Sequence, residues 1–415
     1  MNKLILKNVR PFVNGKFEEP TTMNLVDGKW VEDAPSDAVE FNTRGALAIP
    51  ALFGLGLDFK EPLRDDIYTF RDGVDAMHRG GFFGGLYESS ANAIDDSLKL
   101  AAIQQMSAKS GLSFAFLGAF SMGYQCKDLS EMVELASAGA VGFCDGNQNC
   151  AHTRFLRLAM EYGSMTGKRF FFMPLDNSLR HHGLVHEGCY SDMLGMKGIP
   201  RVAETMEVFR ILEMARFLNV PVHFKQVSCG ETLKLIENAR KNGVDVTCDV
   251  DIYHLLIDDS CLLELDSHYN VPMPFRAAAD REALWQGLQS GVVDAISVNH
   301  DPVLRQDKEV NFEDAVPGAV SLEIALPALW KPLCERLSAA RAVELLSTAP
   351  AKIAGVTPSS LKLGAVANMV LLDPDAPRDI VPSMFAGQVR NSPLLGKKVL
   401  STILGSYLGG LWTEV

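Results

Sequence analysis

Short, almost wholly apolar runs alternate with longer segments of helical periodicity through the middle of this chain. The apolar runs are Leu52–Asp58, Phe82–Ser89, Ser113–Phe120, Ala140–Cys144, Arg169–Met173, Val220–Gln226, Asp245–Val250 and Asp294–Asn299. Runs of this length, bounded by polar residues, predict strands with both faces buried. Between several of them, Arg154–Thr166, Arg201–Leu218, Glu231–Asn242 and Ala279–Gln289 repeat apolar residues at the spacing of one helix face. Eight such strands interleaved with helices predict an α/β chain of the (β/α)8 type, with an open doubly wound sheet as the alternative.

The two ends read differently. Met1 to Lys7 alternates polar and apolar residues as a half-buried strand does. Val13-Asn14-Gly15-Lys16 and Val26-Asp27-Gly28-Lys29 carry the Asn-Gly and Asp-Gly signals of tight hairpins. Near the other end, Ala367–Asp373 is an apolar strand stopped by Pro374, and Met384–Arg390 is a candidate for another. Two β-rich ends suggest one composite β-sandwich, residues 1–48 with 358–415, flanking a barrel at 49–357.

Composition narrows the function classes. A net charge of −12 excludes a generic nucleic-acid surface, which needs clustered Lys and Arg. No apolar run approaches the roughly 20 residues of a membrane-spanning helix, and the N-terminus lacks a signal-peptide core. The expected location is therefore the cytoplasm. The eight cysteines form no CxxC pair and read as small buried hydrophobes.

Reactive groups of such a barrel stand at the C-terminal ends of its strands. Those ends offer Gly56, Asp58, Ser89, Cys144, Asp145, Met173, Gln226, Asp249 to His254, Asn299 and His300. The set is polar but poor in zinc ligands, and no HxH or HExxH spacing appears.

Longer motifs carry a resemblance. Ile49 to Pro62 (IPALFGLGLDFKEP) resembles the PGLIDxHVHLREP of the dihydroorotases, members of the amidohydrolase superfamily. Gly139 to Asp145 resembles their GAVAFSD, Met196 to Glu204 their GxPxxAE, Ser347 to Lys352 their SxNPAK, and Leu363 to Asp373 their LxxGxxADLVLxD. The motifs fall in order along nearly the whole chain. The resemblance implies a metal-dependent barrel with a β-sandwich built from both termini.

The departures are as specific as the matches. Gly56 and Asp58 stand where the family has the metal-binding HxH, while Asp145 keeps the bridging carboxylate. Met173 (or its neighbour Phe172 or Pro174) replaces one further histidine ligand and Gln226 another. Asn299 replaces the aspartate that serves as ligand and general base. Among the substrate contacts, Lys60 replaces an arginine, Ser89 an asparagine and Val303 a histidine. Glycine offers no ligand atom, thioether and amide bind zinc poorly beside imidazole, and Asn cannot accept a proton as Asp does. On this reading no residue is catalytic, no metal binds, and zinc is absent.

The resemblance then implies a non-catalytic dihydroorotase homologue of pyrimidine biosynthesis. It would dimerise and assemble with the catalytic subunit of aspartate carbamoyltransferase, binding neither nucleic acid nor membrane. The alternative is an amidohydrolase acting on a cyclic amide (dihydroorotate, a hydantoin or a dihydropyrimidine) through an altered metal site built from Asp58, Asp145, His254 or His300. A third reading is a metabolite sensor with an empty pocket. His254 and His300 read as remnants of the pocket, and His152, His181, His182 and His186 as surface groups. Cys144 beside Asp145 is weighed as a nucleophile, Asp58 with Asp145 as a cation site, and Lys60 with Arg276 as an anion grip. Arg64, Asp65 and Asp66, in the loop after the former metal motif, are candidate interface residues.

Overall fold

Eight parallel strands pair in chain order in the computed structural model, which describes residues 3–415. They are Leu52–Leu57, Phe82–Tyr87, Ser113–Ala119, Gly142–Cys144, Arg169–Phe172, Val222–Phe224, Val246–Asp251 and Ala295–Ser297, called here the first to eighth barrel strands. The two edges of this sheet meet. His300 N donates to Gly56 O at 2.8 Å and Asp58 N donates to His300 O at 3.1 Å, so the sheet curls into a nearly closed barrel. The predicted (β/α)8 architecture is the one observed.

Helices Thr153–Gly163, Val202–Leu218, Gly230–Lys241 and Ala278–Ser290 fall where the periodicity put them. Phe70–Gly80, Ser97–Ser107 and Ala325–Arg336 are further helices that it did not single out. The first carries two glycines and the last two prolines, which weaken a helical signal. What sets the start of Phe70–Gly80 is a capping box, with Thr69 Oγ1 accepting from Asp72 N and the Asp72 carboxylate accepting from Thr69 N.

A second sheet joins the two ends of the chain. Its N-terminal strands include Lys3–Val13, Thr21–Val26, Lys29–Val31 and Leu47–Pro50, and its C-terminal strands are Met369–Asp373, Thr402–Leu408 and Leu411–Glu414. Leu47–Pro50 lies antiparallel to Met369–Asp373, with Ala48 opposite Leu371. Met1 and Asn2, where the predicted first strand begins, lie outside the described residues. Both hairpin signals hold: Asn14 and Gly15 take φ of 50° and 83°, Asp27 and Gly28 take 48° and 75°, as two-residue turns of this hand require. Met384–Arg390 is not a strand. A 3-10 turn occupies Pro382–Met384, and the chain beyond it runs as a loop, because Pro382 cannot donate to a ladder. Among the described residues no helix is long and apolar enough to cross a membrane.

Between the barrel wall and its outer helices the packing is aromatic. Phe170 is fully buried, with ring centroids of Phe143, Phe120 and Phe172 at 5.5, 6.1 and 6.1 Å. Helix Thr153–Gly163 ends against it on a glycine whose absent Cβ would stand 2.5 Å from the Phe170 ring. Phe170→Ala therefore opens a cavity that rigid strands cannot close. We expect it to lower the unfolding free energy by about 3–5 kcal/mol, read from urea denaturation followed by circular dichroism.

Candidate active site

The ends of the first, second, sixth, seventh and eighth strands converge on one pocket at the barrel mouth. Gly56, Asp58, Gln226, His254, Asn299 and His300 line it, together with Glu88, Ser90, Asn147, Asp251 and Asp301. The cavity left among these side chains is about 30 Å³, room for little more than a water or two. Other expected site residues lie elsewhere. Met173 belongs to a small apolar cluster with Leu175, Ile199, Ala203 and Met273. Ser89 Oγ is spent on Asn92 N at 3.1 Å. Asp145 sits buried beneath the pocket wall, where its Oδ1 accepts from Asn147 N at 3.1 Å.

Lys60 organises one side of the mouth. Its ammonium pairs with Asp58 Oδ2 at 2.7 Å and with Asp301 Oδ1 in a second, close contact. Ser90 Oγ and N also donate to Asp58 Oδ2, at 2.5 and 3.2 Å, and Lys60 N donates to Oδ1 at 3.1 Å. Burial opposes both charges. The paired carboxylates nevertheless outweigh it and hold Lys60 above its ordinary value, while Lys60 holds Asp58 below its own. Asp58 is thus an ionised carboxylate whose acceptor positions are already taken.

Across from it, Gly56 and Asn299 share a space that only one side chain can fill. Gly56 has φ of 76°, and a Cβ built there would lie 2.2 Å from Asn299 Oδ1. Asn299 Nδ2 donates to Asp251 Oδ2 and Ser297 Oγ, both at 2.8 Å. Ser297 continues inward to Asp249 Oδ1 at 2.5 Å, and Asp249 Oδ2 meets His223 Nε2 at 2.9 Å. A chain of buried polar groups therefore runs from the barrel interior to its mouth. Asn299 and Gln226 both hold positive φ (38° and 54°), a strained backbone common at functional strand ends.

A second ammonium was not anticipated. Lys225, one residue past the sixth strand, is buried and donates to Glu88 Oε2 at 2.5 Å and Asn147 Oδ1 at 2.6 Å. Burial lowers it, but Glu88 outweighs that and keeps it cationic. Beside this ammonium, burial pushes the Asp145 carboxyl up to about 6, with Lys225 and the Asn147 N–H opposing. A lysine interrupting the apolar run Val220–Gln226 was the available signal.

Several alternatives now have places. Cys144 is fully buried and burial pushes its thiol up to about 12, so it is no nucleophile. His300 is neutral: burial, with Lys60, lowers it to about 3, and its Nδ1 accepts from Ser321 N at 3.2 Å. His254 Nε2 lies 3.1 Å from Met273 O. Arg276 is buried away from the mouth, donating to Ser228 Oγ and Ile199 O. His186, expected at the surface, is buried 3.2 Å from Arg276, and its pKa is lowered to about 4 by burial. The His181 and His182 rings lie 4.3 Å apart, tilted at 54°, and exposed Arg64 pairs with Asp66 at 2.9 Å.

Comparison with known proteins agrees with the barrel and its motifs. The chain is 31% identical over 421 residues to a dihydroorotase of Pelotomaculum thermopropionicum, covering 98% of this chain and 97% of that protein. A dihydroorotase of Deinococcus radiodurans is 32% identical over 399 residues, covering 95% of each. This chain belongs to the dihydroorotase family. Its fold superimposes on an L-hydantoinase (dihydropyrimidinase) from Arthrobacter aurescens with a TM-score of 0.82 at 20% identity, covering 100% of this chain and 96% of that one. No family model matches.

These likenesses correct three expectations. Full-length relatives named dihydroorotase, and a hydantoinase fold, support an amidohydrolase rather than a non-catalytic subunit or a chain that is not an enzyme. The expectation of no cofactor loses its support with them, since the resemblance describes the dihydroorotases as metal-dependent enzymes. The physical reason is that lost ligands do not leave an emptied pocket: Asp58, Glu88, Asp251 and Asp301 line it, and the ammonium groups of Lys60 and Lys225 pair with three of these carboxylates. The family's metals nevertheless do not fit the residues in place. Gly56 has no ligand atom and no room for one, the Asp58 carboxylate is committed to Lys60 and Ser90, and among the described residues no three His, Cys, Asp or Glu side chains gather as a metal site.

In this dihydroorotase relative, restoring the first ligand alone should therefore fail. Gly56→His is expected to destabilise by roughly 2–4 kcal/mol through the left-handed backbone and the clash with Asn299. Adding Asn299→Gly should recover part of that loss, because the two positions share one space. A double-mutant cycle in urea checks this, and strict additivity would show that the positions are independent.

Proposed function

We propose that this chain is an amidohydrolase that opens or closes a cyclic amide, of the dihydroorotate, hydantoin or dihydropyrimidine class, at an altered centre. The observation that carries the proposal is a barrel-mouth pocket whose lining carboxylates Asp58 and Glu88 are paired with the buried ammonium groups of Lys60 and Lys225, in a chain aligned end to end with dihydroorotases. Opening such a ring adds water to the amide carbonyl and breaks its C–N bond, the ring nitrogen taking up a proton. The carbonyl oxygen becomes negative on the way, and a fixed cation in a dry site is well suited to stabilise it. Lys225 fills that role from behind the lining residues Glu88 and Asn147, and Asp145, ionised above about pH 6 and uncovered from behind Asn147 when the pocket opens, takes the proton from water. Lys60 stands where the family resemblance places a substrate arginine and receives an anionic substituent. A ring cannot enter a space of about 30 Å³, so the loops carrying Pro272 and Asp301 move outward on binding.

Ring opening of dihydroorotate, hydantoin and dihydrouracil, each followed in the ultraviolet, tests the reading. We expect turnover of one of them, with Lys225→Met lowering kcat at least about 100-fold, the cost of losing one charge stabiliser. The rate should fall below about pH 6 as Asp145 protonates, and this limb should vanish in Asp145→Asn. No turnover of any of the three by the unmodified protein would refute the proposal.

We also propose that the protein works in the cytoplasm as a dimer and associates there with the catalytic subunit of aspartate carbamoyltransferase. The family resemblance supports the partner. An outward apolar stripe on helix Val202–Leu218, with Val202, Met206, Phe209 and Phe217 between 51% and 71% exposed, supports self-association. Light scattering after size exclusion should give twice the chain mass alone and a larger particle with the transferase. A monomer that ignores the transferase would remove both associations.

A further inference from the structure

Outside the barrel mouth, the loop after the eighth strand and the segment 380–395 enclose a cleft of about 420 Å³. Its charged lining is unlike the rest of a chain of net charge −12: Arg305, Lys308, His268 and Arg390 against a single carboxylate, Glu309. Their existing bonds show what remains free. Lys308 is buried, and its ammonium is spent on the carbonyls of Asn270, Val316 and Gly318 at 2.6, 3.2 and 3.1 Å. It therefore contributes field rather than a contact. Arg390 commits only one guanidinium nitrogen, to Pro382 O at 2.7 Å. Arg305 commits its Nε to Glu309 at 2.6 Å and is otherwise open to solvent. His268 Nδ1 meets Asp266 at 2.7 Å, leaving Nε2. Gln388 adds an amide to the same wall.

We propose that this cleft binds a small molecule through a phosphate group. Two guanidinium forks, an imidazole and an amide on separate segments suit a tetrahedral, multiply charged oxyanion better than one planar carboxylate. The cleft has room for the remainder of such a molecule. It is also wired to the mouth of the barrel. Buried Asn391, on the cleft wall, accepts from Val303 N at 3.2 Å and donates to Asp301 O at 3.3 Å, and Asp301 is the residue that pairs with Lys60. A ligand that tightens the cleft therefore holds the loop bearing Asp301.

Calorimetric titration of the full-length protein with pyrophosphate at fixed ionic strength tests the site, with malonate as the carboxylate comparison. We expect one saturable pyrophosphate site per chain, with malonate at least about tenfold weaker. Arg390→Gln and the solvent-exposed Arg305→Gln should each weaken pyrophosphate by about tenfold or more, the loss of one charge-assisted contact. Because the Arg305 side chain is 82% exposed, its variant keeps the test valid if Arg390→Gln fails to fold. Hydrogen exchange at the Val303 amide should slow when pyrophosphate is present. An absence of saturable binding, affinity unchanged in both variants, or equal affinity for malonate would each overturn the proposal.

Discussion

A lysine ammonium enclosed between two carboxylates is the constraint on which the mouth of this barrel depends. Taking Asp58, Lys60 and Asp301 out of water costs each of them hydration, and only their mutual attraction and the Ser90 and backbone donors offset it. Asp58 and Lys60 follow the first strand and Asp301 follows the eighth, so the same three charges fasten the seam where the sheet closes on itself. Without the ammonium, two buried carboxylates would face each other and one would have to take a proton. Electrostatics and topology are therefore one problem at this seam.

The opposite side of the mouth repeats the arrangement with Lys225 and Glu88, joining the end of the sixth strand to that of the second. Between the two ion pairs, Gly56 and Asn299 interlock across the seam, and the Asn299 amide is the outer end of the buried chain through Ser297 and Asp249 to His223. Each member is satisfied by the next, which makes the set rigid and makes any single replacement felt by its neighbours. A glycine at position 56 is thus a complement to Asn299 as much as a loss of a ligand.

The barrel was legible because each of its strands is an apolar run bounded by polar residues, a pattern that survives without knowledge of partners. Met384–Arg390 misled for the converse reason: its apolar residues fill a loop packed on the barrel, and only Pro382 hinted that no ladder forms. The replaced positions Gly56, Asp58, Gln226 and Asn299 could be placed by motif, and they do meet in one pocket. What they meet could not be read. Lys225 and Glu88 sit at the ends of apolar runs, where a charged residue ordinarily marks the passage into solvent. Whether such a residue turns into the mouth or outward is set by strand tilt and stagger, which belong to the closed barrel and not to any window of sequence. Missing ligands alone therefore do not reveal which charges the closed barrel brings to their place.

That substitution constrains any anionic substrate. Lys60 is already saturated, so a substrate carboxylate must displace one of its partners, and the two differ in what holds them. Asp58 is the more buried, with 8% of its side chain exposed, and it accepts from Ser90 and from backbone as well. Asp301 is 25% exposed and sits on a loop anchored through Asn391. Exchange at Asp301 therefore costs fewer hydrogen bonds than exchange at Asp58, and it moves the segment that narrows the mouth. On the proposed function, substrate binding and opening of the pocket would be a single event, an incoming carboxylate taking the place of Asp301 beside Lys60.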